Sequence, residues 1–116
     1  MSDYEQFKIV VTVPLEEADA VRLALGEAGA GRIGNYAFCS FSSIGVGRFL
    51  PQHGAAPSLG EVGSMEEVAE ERIEVSCDNQ LLGQVVDAIR LAHPYEEPII
   101  DVYTLLPLPN SPKRPF

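Results

Sequence analysis

Tryptophan is absent from this 116-residue sequence, and cysteine is scarce. The two cysteines, Cys39 and Cys77, are far apart in the sequence and lie in apolar or alternating segments. No CxxC pair is present, so a disulfide framework of the small secreted type is excluded. The pattern favours two reduced thiols in the core over a bridge or a metal pair.

The sequence also has few basic residues and no long apolar run. The chain has 8 Lys and Arg residues against 17 Asp and Glu residues, which gives a formal net charge of −9. Excess negative charge repels phosphate backbones and anionic lipids, and no apolar run approaches the roughly 20 residues of a membrane-spanning helix. The first residues lack the positive region of an export signal. We therefore expect a cytoplasmic protein that binds neither nucleic acid nor membranes.

The N-terminal part predicts a strand followed by a helix, within a length that fits one domain. Residues 7–13 alternate with period two, and the additional apolar residue Val10 makes this strand a central one, ended by Pro14. Apolar residues then recur at helical spacing from Ala18 to Ala28, before Gly29 ends the helix.

The middle of the sequence predicts β structure. From Tyr36 to Pro51 it is rich in aromatic and β-forming residues broken by Ser and Gly, which predicts a β-hairpin. Residues 52–64, dominated by Gly, Ala, Pro and Ser, predict a functional loop or a distorted hairpin arm. Residues 64–67 have the form of a capping box, yet the weak apolar pattern after them favours a turn into a strand.

The C-terminal part predicts a second strand and helix, then a last strand. Residues 72–77 alternate as a strand, and Asp78 or Asn79 is expected to cap the following helix. That helix ends before Pro94 and carries an apolar stripe made of Leu82, Val85, Ile89 and Ala92. Residues 99–106 alternate as the last strand, and the Pro-rich tail, 107–116, cannot continue a sheet.

This order predicts an α+β, ferredoxin-like βαββαβ sandwich over residues 5–106, in which two helices cover one face of an antiparallel sheet. We expect the opposite face to be apolar and to carry Val10, Ile100, Val102 and Leu106. Exposed apolar sheet faces are usually buried by self-association, so the pattern predicts a homo-oligomer.

The run HPYEEP, from His93 to Pro98, is the most distinctive segment. Its two prolines fix the backbone around a tyrosine and two carboxylates at the passage from helix to strand. His93, Glu96 and Glu97 offer the imidazole and carboxylate groups that zinc or copper accept. Two other interpretations stay open. In one, His93 contacts the helix C-terminus and the glutamates are solvated; in the other, the glutamates pair with a neighbouring subunit.

Gly45 and Gly47 lie in the predicted hairpin without the helix and lysine of a phosphate cradle. A strand kink or a close backbone approach is therefore favoured over a nucleotide site. Arg48 beside them is a candidate contact for an acidic ligand or for a glutamate of another subunit; the alternative is a solvated arginine.

Several segments, in this order and spacing, resemble the inserted domain of the Nif-three-like family. They are residues 29–36 (GAGRIGNY), 39–42 (CSFS), 45–51 (GVGRFLP), 72–74 (RIE), 93–98 (HPYEEP) and 101–103 (DVY). The resemblance covers about residues 5–106 and implies a PII/CutA-like fold; the His-Pro-Tyr-Glu segment also resembles CutA proteins, which form trimers. It further implies that the two-metal centre and the GTP cyclohydrolase label of some members belong to flanking α/β domains. The two histidines here, His53 and His93, are too few for such a centre.

We therefore expect a non-catalytic, self-associating PII/CutA-like binding or regulatory module, a trimer in preference to a dimer. Its partner would be a small molecule or a protein, with no cofactor assigned and no catalytic residue predicted. The candidate binding residues are His93, Tyr95, Glu96, Glu97 and Arg48. Two alternatives stay open: a CutA-type protein that binds a divalent metal ion through His93, Glu96 and Glu97, and an accessory part of a Nif-three-like metal-dependent hydrolase.

Overall fold

The computed structural model describes residues 5–109. Two short 3-10 turns, at residues 15–17 and 79–81, lead into the two helices. The elements in chain order are β1 (Gln6–Pro14), α1 (Ala18–Glu27), β2 (Phe41–Phe49), β3 (Glu66–Asp78), α2 (Leu82–Ala92) and β4 (Ile100–Leu105).

The four strands form one antiparallel sheet in the order β2-β3-β1-β4. β1 lies in the interior of the sheet, as its two apolar sides predicted, and β2 and β4 are the edges. This arrangement confirms the predicted α+β, ferredoxin-like βαββαβ fold. None of the helices within the described residues is long and apolar enough to cross a membrane.

The core lies between the helices and one face of the sheet. Each fully buried aliphatic side chain contributes about 1.5–3 kcal/mol relative to an exposed one. The largest of them are Ile9, Val11, Val13, Val21, Leu25, Ile73, Val85 and Ile89. These residues come from the odd positions of β1, from Ile73 in the strand predicted over residues 72–77 and from the predicted helices, so the periodicity located the core correctly.

The composition predicted for the open face is wrong. In the sheet register Ile100 is opposite Val11 and Val102 is opposite Ile9, so both side chains lie on the face that the helices cover. Leu106 follows the end of β4. The register decides this, because a shift of one residue moves every side chain to the other face.

Only Val10, of the four residues predicted for the open face, lies there within a strand, and it is buried. Charged side chains surround it. Glu74 Oε1 is 3.7 Å from Lys8 Nζ, and Arg72 Nε donates to Glu74 Oε2 at 3.0 Å. The centre of the open face is therefore an ionic network and not an apolar surface.

The predicted hairpin within residues 36–51 is also wrong. That stretch holds one strand, β2, whose hairpin partner is β3, and the chain reverses between them over residues 50–65. Gly45 and Gly47, for which a strand kink or a close backbone approach was favoured, lie inside β2. The turn into a strand predicted after Ser64 is confirmed, because β3 begins at Glu66.

The ends of the helices differ in how well the sequence predicted them. Gly29 follows α1 with a φ of 104°, a conformation that favours glycine. The predicted side-chain cap of the second helix is wrong, since neither Asp78 nor Leu81, the residues preceding the 3-10 turn and α2, makes a capping hydrogen bond. The Asp78 carboxylate instead accepts a hydrogen bond from the Gln6 side chain on β1.

Both cysteines are free thiols, as expected. Cys77 is buried in the core, whereas Cys39 is half-buried in the loop before β2, so the prediction of a core thiol is correct only for Cys77. Of the Pro-rich tail, residues 107–109 continue no strand and residues 110–116 lie outside the described part of the chain.

Candidate functional site: a cleft between the β2–β3 hairpin and the HPYEEP turn

The turn from His93 to Pro98 is fixed to β1 by the imidazole of His93. The Tyr95 backbone N–H donates to His93 Nδ1 at 3.1 Å, so the ring proton is on Nε2, which donates to the Thr12 carbonyl at 2.7 Å. His93 is only 6% exposed, and both its ring nitrogens are engaged. It acts as a structural link between the turn and the sheet.

The Tyr95 side chain extends from this turn to Glu70 on β3. Its hydroxyl donates to Glu70 Oε2 on β3 at 2.8 Å, and its ring packs edge-on against Phe49, with the centroids 5.6 Å apart. Burial raises the pKa of the Tyr95 hydroxyl, and the Glu70 carboxylate raises it further. The tyrosine is thus held as a neutral donor to a carboxylate that is itself only 7% exposed.

Gly47 makes room for that carboxylate. A Cβ at this position would lie 2.1 Å from Glu70 Oε1, closer than any real contact. The glycine in β2 therefore serves a close approach, as predicted, although a side chain and not a backbone makes it. Gly45, two residues earlier, faces open space.

These groups form one wall of a cleft of about 460 Å³. The loop after β2 closes the cleft from the far side, where the Ala56 N–H donates to Glu96 Oε1 at 2.9 Å. The other lining groups come from residues 43–51, parts of the loop 55–59, Thr12, Glu70, Arg72, Tyr95, Glu96, Glu97 and Ile99. Apolar atoms make up most of this surface.

The two cleft arginines are already engaged. Arg48 Nε donates to Glu67 Oε2 at 2.7 Å, and Arg72 bonds Glu74, which together with Tyr103 raises the pKa of Arg72. Neither Glu67 nor Glu74 lines the cleft.

The structure brings four of the five candidate binding residues to this cleft. Tyr95, Glu96, Glu97 and Arg48 line it, and His93 lies buried behind it. Within residues 5–109, no group of three or more His, Cys, Asp or Glu side chains could hold a metal ion. His93, Glu96 and Glu97 are accordingly not brought together as a ligand set, and the metal site stays a prediction.

Sequence reasoning missed Glu70 and Phe49 as parts of the site, and it did not identify Glu70 as the side chain that approaches Gly47. Each meets the turn only through the β2–β3 register, which pairs Gly45 with Glu70 and Phe49 with Glu66. A sequence signal existed, because a glycine inside a strand marks a close approach by a neighbouring group. It could not identify which group approaches.

Comparisons with known proteins show that this chain is similar to one segment of longer proteins. No family model matches the sequence. A protein of Mycobacterium tuberculosis named GTP cyclohydrolase 1 type 2 homolog is 50% identical over 102 residues, which cover 88% of this chain and 27% of that protein. This chain spans about a quarter of the length of the curated relatives it matches.

Solved structures agree with the fold. A Bacillus cereus protein related to NIF3 matches with a TM-score of 0.77 and 48% identity, over 90% of this chain and 27% of that one. The periplasmic divalent cation tolerance protein CutA of Archaeoglobus fulgidus matches with a TM-score of 0.62 over 93% of this chain and 88% of its own. At 22% identity the CutA likeness shows the fold alone. The resemblance to Nif-three-related proteins and the PII/CutA-like fold are both confirmed.

Proposed function

Since the chain is similar over most of its length to one segment of the NIF3-related proteins, we propose that it is a self-associating, PII/CutA-like binding module without catalytic activity of its own. The cleft beside Tyr95 carries this proposal. Concave, mostly apolar sites with a few placed polar groups are typical of small-molecule binding. Among the described residues that line the cleft there is no histidine or cysteine to form a nucleophile–base pair.

Self-association is supported by the edges of the sheet. β2 is a nine-residue edge strand, and its apolar residues Ile44 and Val46 are 71% and 55% exposed. Unpaired strand edges and exposed apolar side chains favour pairing with another chain. Because the open face is charged at its centre, we assign the contact to the edges of the sheet. The trimer stays the preferred state, on the resemblance to CutA proteins.

Sedimentation equilibrium at micromolar concentration tests this proposal. We expect a mass near three times the 12.6 kDa of one chain, maintained on dilution through the micromolar range. A dimer would contradict the trimer but leave self-association standing. A monomer at these concentrations would contradict self-association.

A second proposal follows from the 50% identity to a GTP cyclohydrolase 1 type 2 homolog of which this chain covers 27%. The domain would act as an accessory part of such a metal-dependent hydrolase, with the chemistry carried elsewhere. We expect the purified chain to turn over no GTP, with or without added divalent metal. Turnover by the chain alone would contradict both proposals.

Isothermal titration calorimetry with zinc tests the alternative that the chain is a CutA-type metal-binding protein. Both ring nitrogens of His93 are engaged, so ion binding there would need the turn to rearrange. Heat that disappears in the Glu96→Gln/Glu97→Gln variant would support a metal site at the turn. We expect no heat, or heat that this variant leaves unchanged.

A further inference from the structure

We propose that the cleft binds a protonated amine carried on an apolar body, with Glu70 as the residue that accepts its positive charge. This inference rests on the proposed function, because it takes the cleft as the ligand site and specifies the class of ligand.

The charge balance of the cleft is the first argument. Its charged side chains are Arg48, Arg72, Glu70, Glu96 and Glu97. Both arginines are neutralised by carboxylates outside the cleft. Within the described part of the chain, none of the three cleft carboxylates has a salt-bridge partner. A bound cation would supply the missing charge.

The state of Glu70 is the second and independent argument. It is more than nine-tenths buried, and its only hydrogen bond among the described residues is the one from the Tyr95 hydroxyl to Oε2. Oε1 lies beside Gly47 at the cleft wall and accepts no hydrogen bond from the described residues; because none of their fully buried side-chain oxygens lacks a partner, Oε1 is open to solvent from the cleft. A charged donor in the cleft can therefore reach Oε1, and a hydrogen bond between a cation and a carboxylate is about twice as strong as one between neutral groups.

The walls define the remainder of the ligand. The cleft volume falls in the range of small-molecule sites, and most of its surface is apolar, which suits an aromatic or aliphatic body. A phosphate or carboxylate group would instead meet three unneutralised glutamates in a chain of net charge −9. This favours a cationic ligand over a nucleotide.

A matched set of three probes tests the inference by NMR titration of the 15N-labelled protein. Benzylamine, benzyl alcohol and benzoate share one ring and differ in charge. We expect benzylamine to shift the amides of Gly45, Gly47 and Ala56 saturably. Benzyl alcohol should bind about tenfold or more weakly, because it lacks the charged donor, and benzoate should not bind.

Three variants connect binding to the cleft. Glu70→Gln should weaken benzylamine binding about tenfold or more, while its amide oxygen still accepts from Tyr95 and preserves the fold. Asp87→Asn removes an exposed carboxylate of α2 that lies outside the cleft and pairs with neither cleft arginine, so it should leave binding unchanged. Gly45 lines the cleft and a Cβ there would meet nothing within 4 Å, so Gly45→Val should narrow the cleft and weaken binding in a folded protein.

The outcomes separate the inference from the function on which it rests. Equal binding of benzylamine and benzyl alcohol, or tighter binding of benzoate, would overturn the amine assignment and leave a ligand cleft standing. Binding of benzylamine that survives both Glu70→Gln and Gly45→Val would place the amine elsewhere and also overturn it. The absence of binding by all three probes would count against the cleft as a ligand site altogether.

Discussion

At the scale of single residues, the Tyr95–Glu70 contact joins the turn after α2 to the β2–β3 hairpin. The hydroxyl donates to a carboxylate that is 7% exposed, at 2.8 Å. Hydrogen bonds to charged groups contribute more than neutral ones because removing the donor leaves a buried charge unsatisfied. The pair therefore stabilises both the fold and the shape of the cleft.

Tyr95→Phe should accordingly lower the free energy of unfolding by about 1.5–3 kcal/mol. Urea denaturation of both proteins measures this loss. In a Glu70→Gln background the same substitution should cost less, because the acceptor is no longer charged. A negligible cost in both backgrounds would show that the tyrosine acts through ring packing on Phe49 alone, because Tyr95→Phe keeps the ring.

Stability should also fall at alkaline pH. Burial raises the pKa of Tyr95 above its usual 10.0 and that of the Cys77 thiol from 9.0 to about 11. A raised pKa means that the folded state holds the proton more tightly than the unfolded state. The resulting stability is complete below about pH 9 and is lost as the pH rises through the folded-state values.

Denaturation midpoints measured from pH 7 to pH 11 follow this loss. Tyr95→Phe should reduce the decline above pH 10, since the residue that titrates there is removed. A decline of the same size in Tyr95→Phe would assign the alkaline sensitivity to other groups.

At the scale of elements, replacing the glycine in each helix by alanine should have opposite effects on stability. A Cβ on Gly26 in α1 would lie 1.9 Å from the ring of Phe38, whereas a Cβ on Gly83 in α2 meets nothing within 4 Å. Alanine is favoured over glycine inside a helix by about 0.8–1 kcal/mol. Only at Gly83 is this gain free of a steric cost.

Gly83→Ala should therefore raise the free energy of unfolding by up to about 1 kcal/mol. Gly26→Ala should be less stable than Gly83→Ala by about 1–2 kcal/mol, because Phe38 must leave its position on the helix. Chemical denaturation distinguishes them. In a Phe38→Ala background Gly26→Ala should become stabilising, and equal effects of the two glycine substitutions in the natural background would contradict this account.

The same elements show what local sequence could predict. Both helices and the strands β1 and β4 follow from their periodicity, because each keeps one side against a single core. The hairpin was misplaced because Gly45 and Gly47 are typical turn residues locally. Both lie within β2, and Gly47 makes room for Glu70, which is 23 positions away, so no local pattern contains that contact.

At the scale of the whole molecule, register decides which surfaces are exposed. The sequence predicted an apolar open face, but the pairing of β4 with β1 turns Ile100 and Val102 toward the helices. The turn from His93 to Pro98 was predicted from its residue types as a candidate site, and its Tyr95, Glu96 and Glu97 line the cleft. The cleft around it was not predicted, because it requires β2, its following loop and β3 in their final positions.

Exposed apolar residues remain at the β2 edge, and this is where the predicted assembly can be tested. Ile44 is 71% exposed and lies opposite Glu71 in the register. Ile44→Lys places a charge on the edge strand, a device that blocks pairing between edges. We expect the association constant to fall at least about tenfold with little change in the monomer's stability.

Leu91→Lys is the matched control, since Leu91 is 90% exposed on α2, away from the sheet edge. Sedimentation equilibrium should find it assembled like the natural chain, and Ile44→Lys shifted toward the monomer. If both variants assemble equally well, β2 is not the contact. The charged side chains at the centre of the open face pair with one another within the chain. The contact between copies would then be assigned to β4, the other edge strand.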